Sequence, residues 1–164
     1  MSDATHTHSV EKIWSLAKSI RVAMLVTRHG DSMAARPMFS LIREEEETVW
    51  FITERASGKM AEAAQNSQAL LTFSNGMDGD HVVMTGRVSP HDDRAKLEAL
   101  WGPGATVYFP KGPTDPKAVL LKFTPIEAEY WTGGSGVMSF AFNFAKAKLT
   151  GERPETGEHA RTAL

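Results

Sequence analysis

Cysteine is absent from the 164 residues, which removes disulfides, thiolate zinc sites, iron-sulfur clusters and cysteine nucleophiles together. Long apolar runs are missing as well: no stretch approaches the ~20 residues needed to cross a bilayer. Neither sign of charge dominates. Lysine plus arginine number 18 against 20 aspartate plus glutamate, a formal charge of −2, which argues against nonspecific binding to nucleic acid or an anionic membrane. Residues 1–9 are polar and lack the basic start and apolar stretch of a signal peptide. The expectation is a cytoplasmic protein with no nucleic-acid or membrane partner. No His-x-x-x-His pair, Asp-x-Asp-x-Asp-Gly loop or Gly-x-Ser-x-Gly elbow occurs, so no metal site is expected and a hydrolase reading has no starting point.

With 41% apolar residues, a chain of this length buries roughly 70% of the surface it exposes when unfolded and needs no cross-link to fold. The pattern predicts a polar tail over residues 1–8, one domain over 9–150 and a polar, mostly loop-like tail over 151–164 that is either disordered or paired as an edge strand only in an oligomer. Ser9 is placed as the cap of a helix over 10–19, with Ile13, Leu16, Ala17 and Ile20 at helical spacing. Strands follow over 21–27 and 33–42, joined by the His29-Gly30-Asp31-Ser32 turn, and then over 48–53 after the acidic run Glu44 to Glu47. Ser57 and Asn66 bracket a second helix. Strands over 69–73 and 81–88 lead to Ser89-Pro90, which reads as the start of a third helix. Residues 102–116 hold four prolines and three glycines and read as a loop with at most a short helical piece. A last strand is expected over 118–131, bent at Pro125, and a helix over 137–149. Short turns between consecutive strands, and no Gly-x-Gly-x-x-Gly crossover, favour an α+β, mainly β fold built on an antiparallel closed or split barrel.

The segment from Phe51 to Lys59 carries the clearest chemical signal. A strand ends at Thr53 and a helix opens through Ser57-Gly58-Lys59, so free helix amides, two hydroxyls and a cation gather at one place, the make-up of an anion site. Arg36, followed by Pro37-Met38, reaches the same anion if its strand is a neighbour, and its planar fork suits bidentate contact. By local pattern alone, a surface lysine and an ordinary capping serine explain the same residues. His81 opens a strand after an acidic turn and reads either as a ligand contact or as a partly exposed polar residue, whereas His6 and His8 read as solvated. Trp101, Tyr108, Phe109, Tyr130 and Trp131 wall a planar ligand or serve core and dimer contacts.

Taken together, Arg36-Pro37-Met38, Trp50-Phe51-Ile52-Thr53 with Ser57-Gly58-Lys59, Met84-Thr85-Gly86-Arg87-Val88, and Tyr108 to Gly112 through Glu129-Tyr130-Trp131 resemble the general stress protein branch of the pyridoxamine 5'-phosphate oxidase-like FMN-binding split-barrel family. The resemblance spans about residues 9–150. It implies a six-stranded antiparallel split β-barrel with flanking helices, a homodimer, and FMN held between subunits. Carried over, Arg36, Lys59, Ser57 and Thr53 bind the phosphate, and Pro37, Met38, Phe51 and Ile52 contact the isoalloxazine or ribityl chain. His81 stands near a position where relatives use glutamine, and Gly58 stands where the oxidase has an arginine. The substrate motif of the oxidase is not recognisable, so pyridoxamine phosphate oxidation is not expected. The resemblance leaves open an FMN-dependent oxidoreductase fed by a nicotinamide donor, a noncatalytic flavin-binding or flavin-buffering module, and a deazaflavin-dependent reductase; it names no catalytic residue.

Overall fold

A computed structural model of the chain describes residues 2–133 and 157–164. In chain order the elements are α1 (Ser2–Ile20), β1 (Val22–His29), β2 (Ser32–Phe39), β3 (Leu41–Arg43), β4 (Thr48–Glu54), α2 (Gly58–Gln65), β5 (Gln68–Asn75), β6 (Asp80–His91), α3 (Arg94–Ala99), α4 (Pro103–Tyr108), β7 (Ala118–Trp131) and β8 (His159–Ala163). The sheet runs β2-β1-β5-β6-β7-β4-β3, with β8 joined to β7, and every pairing is antiparallel. Its two ends, β2 and β3, do not pair with each other, so the barrel is split. Six strands build it, and the short β3 and β8 extend its margins. Among the described residues no helix is long and apolar enough to cross a membrane.

Strand alternation decides what faces the core. On β1, Ala23, Leu25 and Thr27 point inward and are fully buried, while Val22 and Met24 lie exposed on the outer face. Ala23 and Leu25 join Phe73, Met84 and Phe123 from other strands and Ile13, Trp14 and Ala17 from α1 in one cluster. Each fully buried large side chain there contributes about 1.5–3 kcal/mol relative to exposure. A second, smaller cluster on the other side of β4 packs Trp50 against Leu97, Leu100 and Phe109 and fastens α3 and α4.

Several expectations are corrected by long-range pairing. Helix α1 begins at Ser2, ahead of residue 10, and Ser9 is buried within it rather than capping it. His6 is not merely solvated, because its Nδ1 lies 2.6 Å from the Thr162 hydroxyl on β8. The C-terminal residues read as loop-like, disordered or paired only in an oligomer; β8 instead pairs with β7 of the same chain, where Arg161 bonds both carboxylate oxygens of Glu127. Ser89-Pro90 does not open a helix. Strand β6 continues through Pro90 to His91 opposite β7, and its last bond toward the β5 side is that of the Val88 amide to Ser67. Beyond that point β6 is paired on one side only, so a proline costs no ladder bond on the free side. Asp93 takes over as the cap of α3, accepting a hydrogen bond from the Lys96 amide at 3.0 Å. The helix expected over 137–149 lies outside the described residues.

Strand β7 matches its expected span and runs unbroken through Pro125, where the pairing with β6 shifts by one residue. Thr85 faces Glu127 while Gly86 faces Pro125, which leaves Ile126 as the extra residue of a bulge. The bulge brings the strands so close that a Cβ on Gly86 would meet the Thr124 carbonyl oxygen at 2.3 Å and the Phe123 ring at 2.8 Å. Replacing Gly86 with alanine is therefore expected to destabilise the fold by ~1–3 kcal/mol, read as a lower urea midpoint; an unchanged midpoint contradicts this close approach.

Candidate functional site

Strand β4 delivers the chain to the anion-site segment. After Glu54 a three-residue turn leads into α2, and the turn is pinned by Arg55, whose amide bonds the Lys117 carbonyl at 2.8 Å and whose guanidinium takes both Asp92 oxygens at 2.8 Å. Ser57 occupies the cap position with extended backbone, as its sequence context predicts, and Asn66 ends the helix. Yet the Ser57 hydroxyl makes no capping bond. Its oxygen is buried and has no partner among the described residues, an uncommon condition for a hydroxyl in a folded protein.

Lys59, the second residue of α2, lies half-buried in its first turn, and no ion pair or hydrogen bond joins its ammonium to another described residue. Burial first, and then the positive charge of Arg36, lower its affinity for a proton, partly offset by Glu54 and Glu62. Arg36 reaches the same helix, where its Nη2 bonds the Glu62 carboxylate. Three residues beyond Lys59, on the same side of the helix, the carboxylate of Glu62 is buried and collects three partners. Thr27 donates its hydroxyl to Oε2, Arg36 donates Nη2 to Oε2 at 2.7 Å, and His29 Nδ1 lies 2.9 Å from Oε1. Arg36 also donates Nη1 to the Thr27 hydroxyl at 2.8 Å.

The remaining expected site residues are distributed more widely. Thr53 is buried on the inward face of β4, one strand-to-helix turn ahead of Ser57. Phe51 and Met38 are core side chains, so their side chains serve packing and only their backbone is left for a ligand. Ile52 packs on the second cluster, and Pro37 is exposed on the edge strand β2. His81 is not brought to this group within one chain. It stands on β6, three strands across the sheet from Arg36: Arg36 lies opposite Leu25, Leu25 opposite Leu71 and Leu71 opposite Met84, three residues along β6 from His81, so about 14 Å of sheet width separates their strands. The five aromatic residues do not form one wall either. Trp101 and Phe109 belong with the second cluster, Tyr130 with the main core, Trp131 stacks on His159 at 5.1 Å, and Tyr108 is exposed.

Sequence reasoning missed Glu62, Thr27 and His29. Two signals were available: Thr27 falls on the inward phase of β1 after Ala23 and Leu25, and Glu62 sits between Met60 and Ala63, which face the core. A buried acid calls for a partner. Burial pushes the Glu62 carboxyl up, but the bonds from Thr27, Arg36 and His29 and the Arg36 charge outweigh it and hold the group at about 2, below its ordinary 4.5. A depressed carboxyl stabilises the fold fully above pH 4.5 and progressively less as the pH falls toward 2. Thermal unfolding followed across that window should show a shallower acid limb for Glu62→Gln than for the unaltered protein; identical limbs contradict the carboxylate network.

Comparison with known proteins agrees with this architecture. The family model described as pyridoxamine 5'-phosphate oxidase like matches residues 8–155. Among solved structures, a protein from Jannaschia sp. CCS1 described as a general stress protein 26 is 29% identical, superposes with a TM-score of 0.77, and the match covers 100% of this chain and 99% of that one. A general stress family protein of Xanthomonas campestris pv. campestris is 28% identical with a TM-score of 0.70, over 80% of this chain and 91% of that one. The general stress FMN/FAD binding protein of Xanthomonas citri is 27% identical with a TM-score of 0.69, over 77% and 90%. No curated protein matches. With nine-tenths of its length matched by the family model and its split barrel shared with these structures, the chain belongs to the pyridoxamine 5'-phosphate oxidase like family.

Proposed function

We propose that this chain binds FMN and holds the flavin phosphate with Lys59, Ser57, Thr53 and Arg36. The observation that carries the reading is the buried and unpartnered Ser57 hydroxyl in the same helix start as Lys59, with Arg36 tied to Glu62 three residues further along α2. An anion held by the two cations gives the Ser57 hydroxyl an acceptor. Arg36 keeps donors for it, because Thr27 and Glu62 engage only two of the five guanidinium N–H groups. That a similar structure is named an FMN/FAD binding protein supports a flavin as the owner of the phosphate, and the phosphate site itself favours FMN over riboflavin.

The outer face of the sheet supports a homodimer as the binding unit. Val22 lies opposite Phe39 and Met24 opposite Pro37, and Val22, Met24 and Phe39 are all exposed. On β6, His81 alternates with the inward Val82, so it shares this outer face. A second copy docked there supplies its His81 across the interface, so that the flavin lies between the two copies. When bound, FMN supplies electron-transfer chemistry that no side chain provides; the chain's own residues anchor the phosphate and fix its position. An oxidoreductase fed by a nicotinamide donor is the active form of this reading.

Replacing Lys59 with alanine should weaken FMN by ~1.5–3 kcal/mol, the scale of a charge-assisted hydrogen bond, and leave riboflavin within about twofold. Fluorescence titration of both ligands reads the difference. Equal losses for the two place Lys59 away from the phosphate and overturn the assignment.

A further inference from the structure

We propose that Glu62 is the positioning residue of the anion site, holding the Arg36 guanidinium in a fixed orientation from behind. The inference deepens the phosphate reading and rests on it. Arg36 projects from β2, the edge strand of the sheet, and an arginine there ordinarily spends its time among many rotamers, an entropy that each ligand contact must repay. Here that freedom is removed in advance. Arg36 Nη1 donates to the Thr27 hydroxyl, the Thr27 hydroxyl donates to Glu62 Oε2, and Arg36 Nη2 donates to the same oxygen. The three groups close a ring. His29 engages the other carboxylate oxygen, which fixes the plane of the carboxylate and with it the plane of the guanidinium it faces.

Burial argues that the ring serves more than stability. A buried ion pair seldom outperforms apolar packing of the same volume, and Met60 and Ala63 on either side of Glu62 show that this face of α2 packs apolar residues against the core. The carboxylate also stays charged well below neutral pH, so the tethers persist under working conditions. Glu62 has a second effect on the site. It cancels one of the two cationic charges of Arg36 and Lys59, so its contribution to anion binding comes through orientation and against its own charge.

That opposition makes the roles separable. Glutamine keeps an acceptor for Arg36 and Thr27 while losing the charge; alanine loses both. Titrating FMN and riboflavin into each variant, the expected result is that Glu62→Gln binds FMN within about threefold of the unaltered protein or more tightly. Glu62→Ala should bind FMN about tenfold more weakly, with riboflavin unchanged within about twofold, so that the FMN-over-riboflavin preference falls. In an Arg36→Ala background, Glu62→Ala should change that preference no further. Thr27→Val, which removes the Nη1 acceptor at similar volume, should lower the preference about threefold and serves where Glu62→Ala does not fold. Equal loss of both ligands in Glu62→Ala, or loss in Glu62→Gln as large as in Glu62→Ala, assigns Glu62 a structural or charge role and overturns the proposal. If Arg36→Ala abolishes the preference while Glu62→Ala and Thr27→Val keep it, the phosphate reading stands and the positioning role falls. If the unaltered protein shows no preference for FMN over riboflavin, the phosphate reading fails and the positioning role fails with it.

Discussion

Strand β7 is the constraint on which the rest of the structure depends. It pairs with β6 along most of its length, and on its other side with β4 through its first half and β8 through its second. Through β4 it sets where the chain leaves the sheet, and therefore where the turn at Arg55 launches α2. Through β8 it ties the C-terminal residues to the sheet, and β8 in turn meets α1 at Thr162 and His6. The bulge at Ile126 lets one strand serve two partners in succession, because the added twist redirects its second half. Gly86 is the residue that makes room for that bulge.

Given that frame, α2 decides what the protein can bind. It is an eight-residue helix, too short to be stable alone, and it is held by Met60 and Ala63 in the core and by Glu62 against β1 and β2. Its first turn presents Ser57 and Lys59. The same helix therefore supplies an anion site at its start and, one turn later, the acid that organises the arginine of the neighbouring strand. Two cations with one resident carboxylate leave one net positive charge for a phosphate, and both cations keep donors free.

How far the sequence could be read followed the range of the interactions involved. The span of α2, its Ser57 cap and its Asn66 end are local signals and were legible, as were β7 and its irregularity at Pro125. The family resemblance rested on short motifs spread along the chain, and the matched fold carries it. Features made by distant pairing were not legible. Ser-Pro followed by Asp looks like a helix start, and only the one-sided pairing of β6 makes Pro90 acceptable in a strand. Residues 159–163 carry few strand signals and become β8 because β7 offers an unpaired side. At the site, Lys59 and Ser57 were visible in one segment, whereas the partner of Arg36 lies 26 residues away on a helix, a distance at which no spacing rule applies. His81 was read as near the flavin from the resemblance alone, and strand register puts it on β6, three strands across the sheet from Arg36.

The central claim is that this chain holds a flavin through its phosphate. The measurement that tests it most directly is the visible absorption spectrum of the purified protein, followed by fluorescence titration with FMN in the same buffer. The account predicts flavin bands on the isolated protein or saturable quenching at micromolar FMN. A colourless protein that leaves FMN fluorescence unchanged contradicts it, and with it the reading of Arg36, Lys59 and Ser57 as a phosphate site.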